Sequence, residues 1–84
     1  MDLRYYMLDK NFDINNFLHS SDIGIHIIGA IGCAGTPIDD AHGLAIAFIR
    51  GNGYYSVIFV GFLTGLYFAH ENGGTSYVNW IKVA

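Results

Sequence analysis

The chain has 84 residues, 52% hydrophobic and 15% aromatic, with only 13% charged and a net charge of −3. One small domain follows, and at its high surface-to-volume ratio so much apolar matter cannot all be hidden in one copy; part of it must face another subunit, a longer parent chain or a bilayer. Four Lys and Arg make no basic stripe for phosphates, which argues against nucleic acid as a partner, and the lone Cys33 excludes an intrachain disulfide framework.

Residues 1–22 are polar and mixed, with Phe12, Ile14, Phe17 and Leu18 interspersed. Asp13 suits an N-cap, so a short helical turn is expected after it. The segment reads as an N-terminal connector that packs lightly, and residues 23–84 as the β domain. The opening Met1-Asp2-Leu3-Arg4-Tyr5 lacks the basic-then-apolar layout of a signal peptide, so folding in a cytoplasm is expected.

From Ile23 the texture is strand and turn. Ile23 to Ile28 is a β-rich run. Gly32 to Gly43 carries three Gly-type breaks, the only Pro and two acids, and reads as loop. Leu44–Arg50 and Tyr54–Phe62 are the next strands, joined by Gly51-Asn52-Gly53, where Asn-Gly between apolar runs predicts a two-residue hairpin. A second turn at Leu63–Gly65 leads to Leu66–His70, and a third at Glu71–Thr75 leads to Ser76–Val83, completing an antiparallel meander of about five short strands. The fold class is all-β.

The hairpin turn predicts a register. With Gly51 opposite Tyr54, counting outward pairs Phe48 with Val57 and Ile46 with Phe59. Alternation then puts Ala45, Ala47, Ile49, Ile58 and Val60 on one face, a small-residue surface suited to close approach by another subunit. The other face, Leu44, Ile46, Phe48, Val57 and Phe59, suits the core. Both are apolar, so both should be covered, and a one-residue slip would exchange them.

Gly51 to His70 holds no fixed charge, which raises a membrane helix spanning Leu44 to Ala69. Its Gly, Tyr, Phe and Val content favours strands instead, so a small membrane protein is the lesser alternative.

Little in the chain points to catalysis. Asp39, Asp40 and His42 form the one compact polar cluster able to serve hydrolysis or hold a cation, though neighbouring loop acids are more often turn formers. His19-Ser20-Ser21-Asp22 contains triad letters without the spatial separation that triads are built from. His26, flanked by Ile25 and Ile27, is the best single metal candidate, since a threefold axis would multiply one inward His into three ligands. No cofactor is expected. Tyr54, Asn72 and Tyr77, with the Asp39–His42 loop, are the surface-loop and aromatic positions best suited to ligand contact; Trp80 reads as core.

An ordered series of segments adds a resemblance. Asp13-Ile14-Asn15-Asn16-Phe17 precedes Gly24-Ile25-His26-Ile27-Ile28; Gly43–Arg50 and Tyr54–Phe59 form the hairpin; Gly65-Leu66-Tyr67-Phe68-Ala69-His70, Asn72-Gly73-Gly74-Thr75 and Asn79-Trp80-Ile81-Lys82-Val83 close the chain. Over residues 13–83 this resembles the C-terminal knob modules of phage tail fibres, tail spikes and R-type pyocin fibres. His26, His70 and Tyr77 depart from that pattern. The resemblance implies a homotrimeric knob at a virion tail-fibre tip, joined to an upstream fibre shaft or spike. It implies either adhesion to a bacterial surface glycan or protein, or trimerisation and folding of the parent fibre, and no shared active site.

Overall fold

The computed structural model describes residues 3–20, 22–37, 42–51, 53–72 and 78–84, with backbone only for Leu3 and Asn72. The elements are β1 (Leu3–Leu8), α1 (Ile14–Ser20), β2 (Gly24–Ile31), β3 (His42–Gly51), β4 (Tyr54–Gly61), β5 (Gly65–Asn72) and β6 (Ile81–Lys82). They form one six-stranded sheet in sequence order. The expected all-β class is what is seen, with two additions.

First, the N-terminal segment is no loose connector. β1 pairs in parallel with β2, from Leu3 opposite Ile25 to Leu8 opposite Ala30, so the sheet is mixed. Parallel neighbours require a crossover of a dozen or more residues, and residues 9–23 supply it, with α1 lying on one face. Leu8, Ile14 and Leu18 join the core of the β domain. Alternation in β1 is masked because Tyr5 and Met7 on the opposite side are also apolar.

Asp13 caps α1 as expected: its Oδ1 accepts the Asn15 N–H at 2.9 Å. The stretch after β2 then runs back beside this cap. Ile14 N–H donates to the Ala34 carbonyl at 2.9 Å and Ala34 N–H to the Phe12 carbonyl at 3.0 Å. Gly35 takes φ +84°, and a Cβ there would stand 2.6 Å from Asp13 Oδ1. A left-handed backbone and a close approach both demand glycine.

Second, the hairpin carries a bulge. Gly51 does face Tyr54, but the register shifts between Ile49 and Gly51, leaving Arg50 as the extra residue. Ile49 pairs with Tyr55, Ala47 with Val57 and Ala45 with Phe59. The five-residue small face predicted from the turn is therefore split. Ala45, Ala47 and Ile49 share the core side with Tyr55, Val57 and Phe59, all at most 5% exposed. Ile58 and Val60 point the other way, at 37% and 46% exposed. The extra residue changes the phase of alternation along one strand.

The covered side is one cluster around Phe59. Its ring meets Trp80 edge-on at 5.7 Å and Tyr67 at 6.4 Å. Ala45, Ala47 and Ala69 are fully buried on this side, and at Gly43 the Phe59 ring stands where a Cβ would sit. Among the described residues of the predicted strand Ser76–Val83, only Ile81–Lys82 are strand. Residues 78–80 dock on the covering layer instead: Val78 N–H donates to Asn15 Oδ1 at 2.9 Å and Trp80 Nε1–H to the Gly35 carbonyl at 2.8 Å. No helix among the described residues is long and apolar enough to cross a membrane.

Candidate association surface

The second side of the sheet has no covering element among the described residues. Alternation and register lay its side chains in rows across the strands. One row runs Met7, Gly29, Leu44, Val60, Leu66; the next Tyr5, Ile27, Ile46, Ile58, Phe68, Ile81; a third Ile25, Phe48, Ser56, His70. None is Asp, Glu, Lys or Arg. Tyr5 and Met7 are 58% and 52% exposed and Phe48 46%, values normal for surface charges and costly for a continuous apolar patch.

The surface is not uniform. Gly29 is overlaid by the Tyr5 and Met7 side chains, which occupy the space a Cβ would take, with Tyr5 Oη donating to Met7 Sδ at 2.7 Å. Around it lies a cleft of about 300 Å³ lined by Tyr5, Met7, Gly29, Ile31, Leu44 and Phe62, with His42 also on its wall.

The residues singled out for ligand contact do not converge. His42 begins β3, opposite Ile31, while Tyr54 lies beyond the other end of that strand, opposite Gly51. Tyr54 is joined there by Asn72, its cross-strand partner. The Arg50 guanidinium stands 4.9 Å from the Tyr54 ring centroid, an Arg-on-aromatic contact placed by the bulge. Asp39, Asp40 and Tyr77 lie outside the described residues.

His26 cannot act on a symmetry axis, because it faces its own core at 1% exposure. Its ring stacks on Tyr6 at 5.6 Å and meets Phe17 edge-on at 5.7 Å. Nε2 lies 2.8 Å from the Asp22 carbonyl, which can only accept, so the proton sits on Nε2. Among the described residues no group of three His, Cys, Asp or Glu could hold a metal. His19 and Ser20 are likewise engaged within α1, with His19 Nδ1 donating to the Asn15 carbonyl and Ser20 Oγ to that of Asn16, each at 2.7 Å. Cys33 is buried, and that burial raises its thiol pKa, with Asp13 and Asp9 adding to the shift and a backbone hydrogen bond opposing it. Fully buried, it packs in the core cluster.

Sequence reasoning missed the open face as a unit. The usable signal was the apolar character of both alternations of β3 from Gly43 to Ile49; what it lacked was the bulge that sorts them. Compared with protein-family models, curated proteins and solved structures, the chain finds no match in any of the three.

Proposed function

We propose that this chain is a noncatalytic attachment module of the fibre-tip kind its sequence resembles, working as a homotrimer at a virion tail. The observation that supports this is the one-sided layering: α1, the 32–37 stretch and the chain end all lie on one face, and the other is an uncharged apolar surface. Such a surface suits association rather than reaction chemistry. The hairpin end adds a recognition element, because Tyr54 beneath Arg50 offers an aromatic face and a cation to a sugar ring or a surface loop on a bacterial cell.

The same open face favours a second reading, in which the module trimerises and folds an upstream fibre shaft. Two measurements on the purified protein separate them. Light scattering is expected to give a trimer, and fluorescently labelled protein is expected to be retained on bacterial cells, with retention falling at least tenfold in Tyr54→Ala at unchanged mass. A monomer at high micromolar concentration overturns the proposal. A trimer that no cell retains selects the assembly reading.

A further inference from the structure

We infer that the open face is covered by other copies of this same chain, with β3 at the centre of the seam. The inference rests on the association reading above and names the occupant of that face. Three observations favour a copy over a foreign partner.

The first is charge. With no Asp, Glu, Lys or Arg in the three rows, juxtaposing two identical faces brings no like charges together, and nothing on the surface selects a partner of opposite sign. The second is size. Strands about 4.8 Å apart and rising about 3.3 Å per residue give five strands of seven residues a footprint of about 550 Å². Two such faces therefore remove roughly 1,100 Å² or more from water, above the threshold of about 1,000 Å² for a specific interface.

The third is symmetry. β3 is the middle strand of β1 to β5. Any closed rotation axis parallel to β3, twofold or threefold, sets the β1–β2 half of one copy against the β4–β5 half of the next. The first half presents Tyr5 and Met7 beside the cleft; the second presents Ile58 and Val60. Apolar side chains meet apolar side chains on both sides, and Leu44, Ile46 and Phe48 come together near the axis.

The test places a charge on the seam and reads mass. Ile46→Asp and Val60→Asp are expected to give monomers by light scattering with the β-type circular dichroism spectrum of the parent. Phe12→Asp, at an exposed apolar position beside α1, is expected to keep the parent mass. A milder double variant, Ile58→Thr with Val60→Thr, preserves strand-forming side chains and is expected to weaken self-association at least a hundredfold. If the parent is an oligomer and all the open-face variants keep its mass, the inference is overturned while the association reading stands. If the parent is a monomer, that reading fails as well.

Discussion

Phe59 and Phe48 are the same side chain on opposite sides of one sheet, and truncating each tests the bulged register directly. Phe59 is fully buried against Tyr67 and Trp80, and the edge of its ring fills the space where a Cβ on Gly43 would sit. Phe59→Ala removes the ring and leaves a cavity that rigid strand neighbours cannot collapse, a cost of about 3–5 kcal/mol. A chain of 84 residues has roughly 4–13 kcal/mol of stability to lose. With a urea slope of about 2 kcal/mol/M, the midpoint should fall by about 2 M. Phe48 is 46% exposed in one copy, so Phe48→Ala forfeits only part of the ring's transfer energy, about 1 kcal/mol in a dilute monomer. Its cost should grow with protein concentration if copies cover the open face, because the native state is then linked to association. Urea titrations followed by circular dichroism at two concentrations a hundredfold apart read both effects. Equal midpoint shifts for the two variants in dilute solution would refute the bulged register.

Gly35→Ala should cost about 2 kcal/mol in the same assay, combining left-handed backbone strain of about 1 kcal/mol with damage to the Asp13 cap of similar size. A neutral result would show that the cap and the loop are not in contact. Tyr55 has its hydroxyl pKa pushed up to about 12 by burial, with Glu71 adding to it. The neutral form is favoured in the fold, so stability is fully present below the ordinary value near 10 and is lost as pH rises from there towards about 12. The absorbance difference between the parent and Tyr55→Phe should show that late phenolate; a difference titrating near 10 would contradict it. Cys33 should react with a thiol reagent at least a hundredfold more slowly in the native protein than in denaturant, and equal rates would place it at the surface.

The strand content and the position of the hairpin were legible because the signals are local: Asn52-Gly53 between two β-rich runs and Asp13 before an apolar helix turn. What was illegible required distant partners. β1 looked like a polar connector because its pairing with β2 is parallel and its crossover helix is only seven residues long, too short for a clear helical period. The Val78–Trp80 segment looked like strand from its aromatics, yet its bonds go to Asn15 and Gly35, residues about sixty and forty-five positions away. The candidate ligand residues were chosen as exposed loop and turn chemistry. That criterion has no geometry in it, and the fold sets His42 and Tyr54 at opposite ends of β3.

The bulge at Arg50 has the largest functional consequence of these. Hairpin counting from the turn assumes that every residue is paired, and one unpaired residue inverts the result for the whole of β3. Ala45 and Ala47 become fully buried on the covered side, and Leu44, Ile46 and Phe48 face the open side. A short helix on a six-stranded sheet can cover one face only. Both alternations of β3 are apolar, so the inversion exchanges which set is hidden without removing the excess. The uncovered set is the bulkier one, and large side chains give the greater area to a second layer. If copies of the chain cover that face, as inferred above, association adds to the stability of a fold that each copy already has, and the gain grows with protein concentration.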